Sequence, residues 1–167
     1  KSRMDVAKAA MINAVKQTED TINWGLSRFN SGNGATKLAS LGTSPASVIE
    51  YLEDLEPGGA TPLGESLQDT YNFNKTYFSN NPEAAECSAN FVLMVTDGFP
   101  SSDDKWSRIS GKTFGKNNIG QTDCLASSYG DKDVWPDTDG EPNYTDDVAH
   151  WMYHCADYKH TTHSIAF

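Results

Sequence analysis

The stretch from Asn90 to Ser102, Asn-Phe-Val-Leu-Met-Val-Thr-Asp-Gly-Phe-Pro-Ser-Ser, constrains this chain more than any other. Five apolar residues, Phe91 to Val95, run unbroken and stop at Thr96-Asp97-Gly98. A run of that length closed by a turn reads as a strand buried on both faces, the habit of parallel sheets. Asp97 then stands just past the strand's carboxyl end, where open α/β sheets bind ligands. A carboxylate there, beside a glycine that frees the backbone to turn, suits a cation. The alternative is a turn aspartate bonded to its own backbone.

A second segment points to the same chemistry. Gly58-Gly59-Ala60-Thr61-Pro62-Leu63-Gly64-Glu65-Ser66-Leu67 reads as a flexible loop feeding a helix. Thr61 stands where an N-cap belongs and Pro62 takes the first helical position. Leu63, Leu67, Tyr71 and Phe78 follow at near-helical spacing. Capping alone accounts for the threonine, yet a hydroxyl at a loop tip also suits the oxygen shell of Mg²⁺ or Ca²⁺.

Around these segments the pattern alternates between helix and strand, as in an α/β fold. Met4, Ala7, Met11, Ala14 and Val15 make an apolar stripe over residues 3 to 18. Residues 22 to 29 read as a strand with Ile22, Trp24 and Leu26 on one face, and Lys37 to Leu41 as a shorter one. Ser44-Pro45 opens a helix carrying Val48, Ile49, Leu52 and Leu55. Thr145 caps a helix running from Asp146 to Tyr158, with Asp146 and Asp147 in the first turn, where the dipole favours negative charge. Its Val148, Met152 and Cys155 are expected to face the sheet.

In this order the segments resemble the von Willebrand factor A (vWA) family. That family's metal-ion-dependent adhesion site takes a Thr from a Gly-Gly-Thr-Pro-like loop and an Asp from a Thr-Asp-Gly strand end. Ser2 to Lys8 resembles the start of the family's first helix, Ile22 to Phe29 its second strand, and His163 to Phe167 its last. The resemblance implies one domain over Lys1 to Phe167, with a doubly wound, mainly parallel central sheet and helices on both faces. It also implies Thr61 and Asp97 as ligands of Mg²⁺ or Ca²⁺, together at the sheet's carboxyl end. The family's first metal motif, Asp-x-Ser-x-Ser, ends a strand before the first helix and occurs nowhere in this chain. The expectation is a domain whose first strand is missing here, so that metal need not be bound by these residues alone.

A closer resemblance is to the vWA domain of type IV pilus tip-associated adhesins and assembly proteins (PilY/PilC-type). Glu65-Ser66-Leu67 leading to Tyr77-Phe78, Cys87 ahead of the Thr-Asp-Gly strand, and Asp147-Val148-Ala149 followed by Met152-Tyr153 and Asp157 carry it. It implies an extracellular or cell-surface adhesion or pilus-assembly module. Such a module grips a carboxylate on a protein partner or surface ligand, pilus subunits included, through its divalent cation. Two alternatives are an intracellular vWA partner of an AAA-type ATPase, chelatase-like, and a structural scaffold without metal. Residues upstream of Lys1 separate these readings.

The composition narrows the partners. Thirteen Lys and Arg against 23 Asp and Glu give a formal charge of −10, which repels nucleic acid and anionic membranes. No apolar stretch approaches the ~20 residues that cross a bilayer. Neither a Gly-x-Ser-x-Gly elbow, a P-loop nor a dinucleotide fingerprint is present, and His150 and His154 lack the glutamate of a zinc protease. Catalysis is not expected, and the four histidines read as residues flanking a helix.

Residues 99 to 144 read as a long insertion, rich in Gly, Ser, Asn and Asp. Within Asp131 to Asp147, seven carboxylates face a single Lys132. Asp137-x-Asp139-Gly140 has the local form of a calcium loop, against the plainer reading of a solvated acidic loop. Three cysteines allow one internal bridge and one leftover thiol. In a doubly wound sheet the start of a strand and the end of the following helix share a pole. That pairs Cys87 with Cys155, unless the insertion folds back and brings Cys124 to either.

Overall fold

The computed structural model describes residues 2–30, 34–96, 101 and 145–166, the side chains at 87, 146, 147 and 166 excepted. Among these residues nine elements follow in chain order: α1 (Arg3–Gln17), β1 (Leu26–Phe29), β2 (Ala35–Ala39), α2 (Pro45–Glu53), α3 (Leu63–Asn80), α4 (Pro82–Cys87), β3 (Phe91–Thr96), α5 (Thr145–His154) and β4 (Thr161–Ala166). Local chemistry sets several of the boundaries. Ser2 and Asp5 form a reciprocal capping box at the start of α1, and the Ser44 hydroxyl accepts from the Ser47 amide ahead of Pro45 at α2.

The strands form two separate two-stranded sheets, β1 with β2 antiparallel and β3 with β4 parallel. The expectation of one mainly parallel, doubly wound sheet is therefore met only as a mixed α/β fold. The hairpin is antiparallel because residues 30–34 are too short for the crossover that parallel strands need. β1 begins at Leu26 rather than Ile22, which is exposed, and β2 covers Ala35 to Ala39 rather than Lys37 to Leu41. The short helix α4, of six residues, precedes β3, where no element was expected. α5 ends at His154, four residues short of Tyr158. There the Cys155 and Ala156 amides both reach the Trp151 carbonyl, and the His160 amide folds back onto the Met152 carbonyl.

Two apolar clusters hold these pieces. Val15 of α1, Ala39 of β2 and Val48 and Leu52 of α2 pack together, joined by Trp24 and Leu26. Leu63, Leu67 and Tyr71 of α3 meet Val92 and Met94 of β3 and Val148, Trp151 and Met152 of α5. Cys155, partly buried, packs against the second cluster and is disulfide-bonded. The Cys87 side chain and Cys124 lie outside the described residues, so the expected Cys87–Cys155 pairing does too.

The apolar run of β3 is buried on one face, not two. Val92 and Met94 are 8% and 7% exposed, whereas Phe91 and Leu93 are 63% and 44% exposed. Both helices packed on β3 and β4 contribute to one cluster on the Val92/Met94 side, while α1 and α2 cover the hairpin. This asymmetry separates two mutations of similar size. Leu67→Ala, which empties the α3 core position, should cost about 2–5 kcal/mol. Phe91→Ser, on the open face, should stay within about 0.5 kcal/mol. Urea unfolding of both variants checks the contrast.

Candidate functional site

The loop from Pro57 to Pro62 leads to α3 across two glycines, and Gly59 takes φ of 93°, a left-handed conformation closed to most side chains. α3 starts one residue later than its sequence suggests. Leu63 is the first helical residue, Pro62 occupies the cap position, and no side chain caps the helix. Thr61 is therefore not an N-cap. Its backbone is held instead by the segment that follows β3: the Thr61 amide donates to Ser101 Oγ at 2.9 Å, and the Ser101 amide donates to the Thr61 carbonyl at 3.0 Å. These two bonds tie Thr61 to Ser101, five residues beyond the end of β3. Among the described residues the partly buried Thr61 hydroxyl makes no hydrogen bond, so capping does not consume it.

Thr61 opens onto a cleft of about 560 Å³, shared with Phe29 and Asn30 at the end of β1 and with Val95 and Thr96 at the end of β3. Arg3 and Met4, which begin α1, reach the same cleft. A second cleft, of about 760 Å³, is lined by Gly25 and Leu26 where β1 begins and by Asn90 and Phe91 where β3 begins. Residues of β1 and β3 thus line both clefts together. Asp97, expected as the second ligand, lies outside the described residues, as do Asp137 and Asp139 of the expected calcium loop.

Hydroxyls collect beneath the 560 Å³ cleft. Ser27 Oγ lies 3.3 Å from Thr70 Oγ1, which also donates to the Ser66 carbonyl at 2.8 Å. Ser66 is 5% exposed, lines the cleft, and among the described residues its Oγ has no hydrogen-bond partner. Ser101 and the Ser27–Thr70 contact escaped the sequence reading because they join residues 40 and 43 positions apart, with no local spacing to betray them.

The opposite pole carries a different chemistry. His160, read from sequence as a helix-flanking histidine, is 1% exposed and sits at the entry to β4. Its Nδ1 lies 2.7 Å from the Tyr158 carbonyl and its Nε2 3.1 Å from the Asn74 side-chain amide nitrogen, with the Tyr71 and Phe78 rings beside it. Burial pulls its pKa below the ordinary 6.5, against an opposing pull from the Tyr158 carbonyl. Burial also pushes the Tyr71 hydroxyl up to about 12, with the charge of Asp157 adding to the rise. His150 and His154, by contrast, lie on the exposed side of α5 with ring centroids 4.4 Å apart.

No family model, curated protein or solved structure matches this chain. Among the described residues no helix is long and apolar enough to cross a membrane.

The buried histidine carries a pH signature. The unfolded chain binds a proton at His160 more readily than the folded chain does. Its contribution is therefore whole above pH 6.5 and is lost as pH falls through the lowered folded value. The urea midpoint should drop across that window, and His160→Gln should flatten the drop relative to the parent. Parallel profiles for the two proteins would show that the loss arises elsewhere.

Proposed function

We propose that this chain belongs to a vWA-type adhesion or pilus-assembly module acting at the cell surface. It would engage a protein partner or surface ligand through a divalent cation at the carboxyl end of β3. One observation supports this reading most: the Thr61–Ser101 clamp. The clamp ties Thr61 to Ser101, the loop and Thr96 line one cleft, and among the described residues the Thr61 hydroxyl has no hydrogen bond. Thr61 and Asp97 are the residues that would hold Mg²⁺ or Ca²⁺, two hard cations that prefer such oxygen ligands. When bound, the cation supplies an open coordination position that a partner carboxylate can fill.

The chain's own part in this is to position and to screen. Gly58 and Gly59 let the loop turn closely, and the two bonds to Ser101 hold the Thr61 backbone. In the doubly wound arrangement that this reading requires, a strand bearing Asp-x-Ser-x-Ser runs between β1 and β3 and brings further oxygens to the same pole. A formal charge of −10 leaves the protein a poor match for nucleic acid and suits a site whose cation, rather than its surface, attracts an acidic partner. Pilus subunits are one such class of partner.

Calorimetry tests the site directly. Protein that carries an Asp-x-Ser-x-Ser strand ahead of Lys1 should bind Mg²⁺, more weakly with Thr61→Ala and not measurably with Asp97→Ala. Residues 1–167 alone should bind weakly at best, because two side chains rarely displace water from Mg²⁺. Tight binding by residues 1–167 that Asp97→Ala leaves unchanged would contradict the assignment.

A further inference from the structure

Helix α5 has different chemistry on its two sides. Val148, Trp151 and Met152 are buried in the second cluster and anchor the helix against α3 and β3. His150 and His154 stand one turn apart on the exposed side, and Tyr153 packs edge-on against the His154 ring. Residues four apart on a helix are surface neighbours. Here the two imidazole centroids are 4.4 Å apart with the rings tilted by 37°. The function proposed above uses neither ring.

That separation suits a shared metal ion. With metal–nitrogen bonds of about 2.0–2.1 Å, two imidazoles meeting an ion at a right angle have centroids roughly 4.5 Å apart. A tetrahedral angle spreads them to roughly 5 Å. Right-angled nitrogen donors belong to square-planar or tetragonal Cu²⁺ and Ni²⁺, and Cu²⁺ heads the usual order of affinity. Each imidazole ligates through one nitrogen and keeps the other for a hydrogen-bonded neighbour. The buried side of α5 holds the pair in place, so binding orders only two short side chains. Among the described residues no third His, Cys, Asp or Glu joins them, which sets a modest affinity.

We propose that His150 and His154 form a two-histidine site for a divalent copper- or nickel-type ion, with water at its remaining positions. The two rings converge only while residues 150 to 154 are helical, so a bound ion favours the folded α5 over the unfolded chain. The pair lies where α5 ends: the Cys155 and Ala156 amides both bond the Trp151 carbonyl, and Lys159 Nζ donates to the His154 carbonyl. An ion there secures the end of the helix that leads into β4. Nitrogen ligands set this site apart from the oxygen corner at Thr61, so either assignment can fail without the other.

Ni²⁺ is the probe, because Cu²⁺ would also oxidise a free thiol. Calorimetry on tag-free residues 1–167, with Mg²⁺ in excess throughout, should give one Ni²⁺ site with Kd of about 0.1 mM or tighter. His150→Gln and His154→Gln should each weaken it at least about tenfold, since even changes behind a ligand cost that much. His163→Gln, at an exposed histidine of β4, should leave it unchanged. Saturating Ni²⁺ should raise the urea midpoint of the parent and of His163→Gln, but of neither α5 variant. Three results would each overturn the proposal. One is no binding at about 1 mM Ni²⁺, which leaves the rings a stacked pair without a ligand. Another is binding that survives both α5 substitutions, which puts the ion elsewhere. The last is loss from one substitution alone, which marks a single-histidine contact.

Discussion

Helix α3 is the element on which the rest of this structure depends. Among the described residues the two half-sheets share no ladder, so no backbone hydrogen bond joins them as strands. What joins them is the α3 surface. Leu63, Leu67 and Tyr71 pack on Val92 and Met94 of β3 and on α5. On the hairpin side, Asp69 accepts from the Ala35 amide at 3.0 Å, Thr70 meets Ser27, and the Lys37 ammonium lies 5.5 Å from the centre of the Phe73 ring. Each buried aliphatic side chain there contributes about 1.5–3 kcal/mol relative to exposure, whereas the exposed or half-exposed polar contacts contribute less. Burial on the β3 side and directional bonds on the hairpin side thus set one orientation for both halves.

The same helix separates two kinds of chemistry. At its start, the Gly-Gly loop, Thr61 and the clamp to Ser101 make an oxygen-rich corner where β3 ends. Toward its other end, Asn74 and Phe78 enclose His160 in a pocket that keeps the ring neutral. The polar corner is built from hydroxyls and backbone, while His160 sits among aromatic rings at the wall of the 760 Å³ cleft. A buried histidine with both ring nitrogens near polar partners stabilises the turn into β4.

Much of the fold was legible where the signal is local. Ser44-Pro45 marked a helix start, the Met4-to-Val15 stripe marked α1, and the apolar run marked β3 to within one residue. Reading failed where partners decide. The run Phe91 to Val95 looks two-sided because composition records hydrophobicity and not whether a helix covers each face. Thr61 looks like a cap because Thr-Pro ahead of a helix usually is one, but Ser101 competes for its backbone from 40 positions away. His160 looked peripheral because its burial comes from Asn74, Tyr71 and Phe78, which only the folded chain brings near. For the site, the residue types and the pole were readable, while the clamp and the hydroxyl group under the cleft were not.

The central claim is that α3 makes two unlinked half-sheets one cooperative unit. Native-state hydrogen exchange at low urea tests it without mutation. The amides of Val48 and Leu52 report on the hairpin layer, and those of Val148 and Met152 on the β3 layer. If α3 couples the layers, the slowest amides of both should converge on one global opening with the same free energy, to within about 0.5 kcal/mol, and the same urea slope. A separate opening of either layer, at lower free energy and with a smaller urea slope, would contradict the account.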